Sequence, residues 1–380
     1  MKNVEKVYNK LILIGNGFDL ALDLKTSYND FLFWLLKSEV LKALESFPQK
    51  VTNEKHTKYN DFLRQYDLIS FYGFASNPLF DVLVKKAYST IPTSIKECET
   101  LASLNEFLKQ FNIEVVPKNK QSLFQKILEL SKVNWIDIEA TYFDLVKESL
   151  SLKKNLHSID ILNDDLEQIS ERLKEYLREI EIDLKISDAD AYVSQFYDVI
   201  VKEDIIEKQQ SDINPEHIYF LNFNYTESLN VILEQSGLEH SDITINQIHS
   251  SAISDEPIIF GFGDEMDEVY KKIEELNDNK YFKFIKSFQY FKSNKYRELL
   301  RFLNSHNYQV CIYGHSCGLS DRVMLNEIFE HKNCKSIKIY YYNQEDFNTK
   351  TMNISRHFNS NKLMREKIVN FNPKDIIPQI

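Results

Sequence analysis

Glycine is scarce in this chain, with eight residues in 380, where an average composition would supply roughly three times as many. A sequence this sparing places glycine where a side chain would obstruct. The four cysteines, Cys98, Cys311, Cys317 and Cys334, are widely spaced and form no CxxC. That excludes a metal-ligand spacing, and it makes a reduced, cytoplasmic setting the expectation in place of a disulfide framework. Positive charge is in deficit. A net charge of −11 argues against general nucleic-acid affinity, which needs a basic footprint. Long apolar runs are missing too. FLFWLL at 31–36 is the longest, far short of a bilayer span, and MKNVEKVYNK lacks the apolar stretch of a signal peptide. No membrane partner is expected. There is no short-period repeat and no low-complexity tract.

The remaining composition supports a substantial core. Hydrophobic residues make up 43% and aromatics 13%, with 27% charged, so disorder is not expected and the length suggests two to three domains. Six of the glycines fall in three clusters: Gly15 and Gly17 in LILIGNGFD, Gly261 and Gly263 in IIFGFGDE, Gly314 and Gly318 in CIYGHSCG. Each cluster follows an apolar, β-branched run that reads as a buried strand. Glycine at a strand end lets the chain turn sharply and approach a ligand closely. Three such points suggest one site at the carboxyl edge of a parallel sheet.

Strands are expected at 10–14, 217–223, 243–249, 257–263, 308–314 and 336–342, with helices near 265–276, 294–305 and 321–332 between them. This alternation implies a doubly wound α/β fold, Rossmann-like, with a parallel sheet. Between Ser38 and Pro215 the pattern changes to helical spacing. Leu166, Ile169, Leu173, Leu177 and Ile180 fall three or four apart and make one helix face, and similar spacing recurs in SLFQKILELSKV and around Trp135. The expected organisation is therefore 1–36 and 215–380 as one sheet domain, with 37–214 as a mostly helical insertion serving as a lid or an oligomer contact. A homo-oligomer is left open.

Five segments carry candidate chemistry. GNGFD (Gly15, Asn16, Gly17, Phe18, Asp19) has the strand–turn–helix form that receives phosphate on backbone N–H groups; a tight packing turn is the alternative. In NFNYT, Asn222, Asn224 and Thr226 alternate and would share one face of an extended chain. They suit ribose hydroxyls or a water, and an Asx turn closing a strand is the alternative. His249, at a strand end, can be a general base or a packed structural histidine. GHSCG at 314–318 matches the G-x-S-x-G nucleophile elbow, with Ser316 as nucleophile and Asp346 and His357 completing a triad. Against this, Ser320 and Asp321 read as a helix cap. In WIDIE, Asp137 and Glu139 form a solvated acidic helix or, with Asp264, Glu265 or Asp267, part of a metal site. No metal is expected to be required.

The series LIGNGFDLALDLKTSYNDF, WIDIE, FLNFNYTESL, IH, IIFGFGDE, IYGHSCGLSD and IYYYNQEDF resembles the bacterial AbiH family, named for abortive infection against bacteriophage. Lys25 stands where that family usually has proline, and Ser250 where glycine follows the histidine. The same series is similar to the sirtuin-like NAD-binding fold and its defence NADases. There GNGFD, NFNYT, Ile248-His249-Ser250 and Gly314-His315-Ser316 stand for the four family motifs. The resemblance implies Asn224 and His249 as catalytic. It implies Gly15, Asn16, Gly17, Phe18, Asp19, Asn222, Thr226, Gly314, His315 and Ser316 as nucleotide contacts. NAD is then the substrate, cleaved to nicotinamide and ADP-ribose, with an unidentified phage-derived trigger. Asp19 replaces a family serine and Thr226 an aspartate, and both changes alter the ribose and pyrophosphate contacts. The rival functions are a serine hydrolase, a nucleotide-sensing module without turnover, and a metal-dependent nuclease.

Overall fold

The computed structural model describes residues 7–46, 73–86, 92–131, 137–150, 158–180, 182, 186–236, 242–263, 265 and 267–379. They divide into two compact units, one of 1–26 with 177–380 and one of 27–176. The first is α/β. Its sheet holds β1 (Tyr8–Ile14), β5 (Ile218–Asn222), β6 (Ile243–Gln247), β7 (Asn307–Tyr313) and β8 (Cys334–Tyr340), in the order β6-β5-β1-β7-β8. Every neighbouring pair is parallel. The order reverses between β1 and β7, the point outside whose carboxyl ends open α/β sheets hold ligands.

Period two sorts the strand residues onto two covered faces, as a buried parallel sheet requires. Leu11, Leu13, Leu221, Val310, Ile312, Ile337 and Ile339 pack with Leu299, Phe302 and Leu303 of the helix Lys295–Ser305 and Leu325 and Ile328 of the helix Arg322–Glu330. On the other face, Ile12, Ile14, Phe220, Cys311 and Tyr313 pack with Phe18, with Tyr192 and Phe196 of the helix Ile186–Tyr197, and with Ile232 of the helix Ser228–Gln235.

Two expectations need correcting. The segment 257–263 is not a strand. Its Ile258, Ile259, Phe260 and Phe262 are buried, but burial here comes from packing against an irregular chain. Gly261 sits at φ +154 with no room for a Cβ against the Phe284 carbonyl, and the chain is held by Phe262 N–H to Phe284 O at 3.0 Å and Lys286 N–H to Phe262 O at 2.9 Å. The second correction concerns the insertion. The unit 27–176 has helices Tyr28–Glu45, Leu101–Gln110, Leu123–Leu130 and Ile138–Ser149. It also has an antiparallel sheet of β2 (Gly73–Ser76), β3 (Phe80–Val84) and β4 (Ile113–Pro117). Gly73 marks it, since a Cβ there would lie 2.3 Å from the Ala43 carbonyl oxygen. The helix Ile186–Tyr197, expected in the insertion, instead covers the parallel sheet. Leu166, Ile169, Leu173 and Leu177 do line a buried helix face within Ile159–Arg178, and Ile180 lies past its end. No helix among the described residues is long and apolar enough to cross a membrane.

Candidate functional site

The polar residues converge where β1, β5, β6 and β7 end. β1 runs straight into the short helix Asn16–Ala21, and its turn meets the turn after β7. A Cβ on Gly15 would lie 2.4 Å from the His315 Cα, and one on Gly17 2.7 Å from the Gly314 carbonyl oxygen. Gly314 is at φ +76, in the left-handed region that favours glycine. The N–H groups are taken within the protein: Gly15 N–H to Tyr313 O at 3.1 Å, Gly17 N–H to Gly314 O at 2.8 Å, and Phe18 N–H to Gly15 O at 2.8 Å. The amides of Gly15, Gly17 and Phe18 are thus engaged within the protein and are not presented to a phosphate. The glycines let two strand-end turns lie chain against chain. Phe18 is buried in the sheet core, and Asn16 Oδ1 accepts from the Thr26 hydroxyl at 2.6 Å.

Asp19 lies beneath this junction, 1% exposed. Its carboxylate accepts from Asn224 Nδ2 at 3.0 Å, from Thr226 Oγ1 at 2.7 Å and from Ser228 Oγ. Burial pushes its pKa up to about 6 against the opposing pull of those three donors. Asp19 caps no helix. Asn224 and Thr226 thus share a partner, though not by alternating along a strand. β5 stops at Asn222, whose Oδ1 accepts the Asn224 N–H at 3.0 Å. That is the Asx-turn alternative, and it turns the following side chains toward Asp19. Gln247 Nε2 secures the turn by donating to the carbonyls of Asn224 and Thr226 at 3.1 and 3.0 Å.

His249 follows β6 and is 4% exposed. Its Nε2 lies 3.2 Å from the Tyr290 hydroxyl and 3.3 Å from Asp321 Oδ1. That same Oδ1 accepts from Lys286 Nζ at 2.9 Å, and Asp321 Oδ2 lies 3.8 Å from Nε2 of His315. His315 Nδ1 accepts the Cys317 N–H at 3.0 Å, and Phe223 packs against both imidazoles. Burial, then the Lys286 charge, lowers the His249 pKa, while Asp321 pulls the other way. Burial drives His315 down to about 4, also against Asp321. For Asp321, burial acts upward, but Lys286 and then His249 hold the carboxylate well below its ordinary range. Near neutral pH the cluster is therefore two neutral imidazoles beside one ion pair.

Asp321, Lys286 and Tyr290 were not among the expected site residues. Asp321 stands at the N-cap position of Arg322–Glu330 but makes no side-chain cap; it turns inward to the histidines. Lys286 comes from the stretch after Gly261, where the Phe262–Phe284 pairing brings it to Asp321.

The serine triad is not assembled. Ser316 is exposed. His357 is fully buried, with Nε2 2.8 Å from the Cys317 carbonyl oxygen. Asp346 accepts the Tyr342 N–H at 2.8 Å and pairs with Lys350. The positive φ values in this turn belong to Gly314 and Cys317 and not to Ser316, so the backbone is not an elbow presenting Ser316. Asp137 caps its helix by accepting the Ala140 N–H at 2.9 Å, and Glu139 is buried. Trp135 and Asp264 lie outside the described residues, and no group of three His, Cys, Asp or Glu among the described residues could hold a metal.

Comparison with curated proteins gives no match. The family model described as bacteriophage abortive infection AbiH matches residues 11–343, a span running from β1 past β8. The chain therefore belongs to the AbiH family, and its function is in abortive infection of bacteriophage.

Proposed function

We propose that the parallel-sheet unit is a Rossmann-like, sirtuin-like nucleotide domain that hydrolyses NAD to nicotinamide and ADP-ribose in the cytoplasm when a phage-derived trigger is present. The observation that carries this reading is His249. It stands at the carboxyl end of β6, its pKa is lowered by burial and by Lys286, and Asp321 lies at 3.3 Å. A neutral imidazole near pH 7 can take a proton from water, and an adjacent carboxylate stabilises the imidazolium that results. Asp321 faces both His249 and His315, the latter just after β7, which supports a site near the strand-order reversal, where such sheets take nucleotides. Asn224, with its amide held by Asp19, is a fixed polar group beside the same turn. In the reaction the glycosidic bond lengthens toward an oxocarbenium-like state, and His249 activates the water that attacks the anomeric carbon.

The test is nicotinamide release from millimolar NAD by purified protein, with and without a lysate of phage-infected cells to supply the trigger, with a melting curve taken alongside. His249→Ala should lower turnover at least ~100-fold while remaining folded. A melting shift with no product would reassign the protein to nucleotide sensing. Neither shift nor product would remove the reading.

A further inference from the structure

One atom, His249 Nε2, faces two partners of opposite character. The Tyr290 hydroxyl at 3.2 Å can donate to it, and the Asp321 carboxylate at 3.3 Å can only accept from it. Both partners are buried, and the Tyr290 hydroxyl is itself 3.5 Å from the same Asp321 oxygen. The ring has a further backbone hydrogen bond at Phe223. With Nε2 turned to Tyr290 and Asp321, that bond falls to Nδ1, leaving the lone pair of the neutral ring on Nε2. The charged and titratable groups around the ring are Lys286, Asp321 and His315, and the Tyr290 and Tyr225 rings lie at 10° and 27° to its plane.

We propose that Tyr290 and Asp321 alternate as the partner of His249 Nε2. Tyr290 donates to the neutral ring and Asp321 accepts from the protonated one, so that Tyr290 carries the proton into the site. The exchange itself follows from the cluster alone; its use in turnover rests on the NAD-hydrolysis reading. In that use, water gives a proton to the Tyr290 oxygen as Tyr290 passes its own proton to Nε2. The water oxygen bonds to the anomeric carbon, the carbon–nitrogen bond breaks, and its electron pair leaves with neutral nicotinamide. The proton on Nε2 then bonds Asp321 Oδ1 and is later lost to solvent, the single proton that hydrolysis releases. Lys286, at 2.9 Å from that oxygen, keeps Asp321 ionised and ready to accept. Asp321 is thus a positioning residue, and Tyr290 the group that meets the water.

The experiment is a titration of the full-length protein labelled with 15N in its histidine rings, followed by NMR. Tyr290→Phe removes the donor to the neutral ring, so the His249 midpoint moves up. Asp321→Asn removes the acceptor for the charged ring, so it moves down. An unchanged or lowered midpoint in Tyr290→Phe overturns the proposal, and this variant decides the matter alone if Asp321→Asn does not fold. In turnover, Tyr290→Phe should lower kcat about 100-fold with KM nearly unchanged. Wild-type nicotinamide release by Tyr290→Phe sinks the relay and leaves the glycohydrolase standing. No release by the wild-type protein sinks the glycohydrolase, and the NMR titration still decides the exchange of partners.

Discussion

Replacing Asp19 by asparagine should change how stability depends on pH, in a direction the structure sets. The folded carboxyl has a pKa of about 6 against an ordinary 3.8, because burial disfavours its charged form. A gap of roughly 2.2 corresponds to about 3 kcal/mol. The raised value means the native state binds the proton more tightly than the unfolded chain does. Below pH ~3 both states are protonated and nothing is lost. Between about 4 and 6 the unfolded chain ionises first, so native stability falls as pH rises. Above about 6 the full penalty persists. Asparagine keeps an oxygen at the Oδ1 position for Asn224 Nδ2 and Ser228 Oγ, and the Thr226 hydroxyl can rotate to accept from its NH2. It cannot ionise. The unfolding free energy of the wild type, minus that of Asp19→Asn, should therefore drop by about 2.5 kcal/mol between pH 4 and pH 7.5, the unfolded carboxyl being already partly ionised at pH 4. Equilibrium urea unfolding of both proteins across that range measures it, and the other titrating groups cancel in the difference. A difference that stays level, or rises with pH, would refute the reasoning. Asp19→Ala is the contrast, since it strips the acceptor from three buried donors at every pH and should destabilise by about 2 kcal/mol or more.

Two further outcomes are expected. Gly314→Ala should lower stability by at least about 2 kcal/mol, because the residue sits at φ +76 and its Cβ would lie 2.2 Å from the Phe18 nitrogen; a melting curve within error of wild type would contradict this. Ser316→Ala should leave stability within ~0.5 kcal/mol of wild type, and a fluorophosphonate should not label Ser316 in the intact protein, since His357 Nε2 is turned to the Cys317 carbonyl; stoichiometric labelling would restore the hydrolase.

The parallel sheet was readable in the chain because its strands are buried on both faces, and such strands are continuous apolar runs that helical segments interrupt. The same signal misled at 257–263. An apolar run reports burial, and Ile258 to Phe262 are buried by a chain that Gly261 bends against Phe284. The strands at 73–76, 80–84 and 113–117 were hidden by their brevity amid helix-forming sequence, with Gly73 the only local sign. At the site, His249, His315, Asn224 and Asp19 were legible because each follows shortly after a strand's end. Lys286 and Tyr290 were not, since KSFQY has no pattern that separates a buried lysine from a solvated one. Only the Phe262–Phe284 pairing brings them to Asp321. Asp321 was visible but assigned a cap's role, because a carboxylate beginning a helix has the same sequence signature whether it faces the helix or turns away from it.

The position of β1 has a consequence for synthesis. Lys10 pairs with Ile218, 208 positions later, and Ile12 with Cys311, 299 positions later. During translation this central strand leaves the ribosome long before either neighbour exists. The unit 27–176 is complete while β1 still waits. Closing loops of that length before any pairing repays them is slow. Asp321, the partner of His249, and His315 both follow β7, so no nascent fragment ending before β7 holds the assembled cluster. In this member of an abortive-infection family, the order of the strands delays assembly of the cluster until most of the chain has been made.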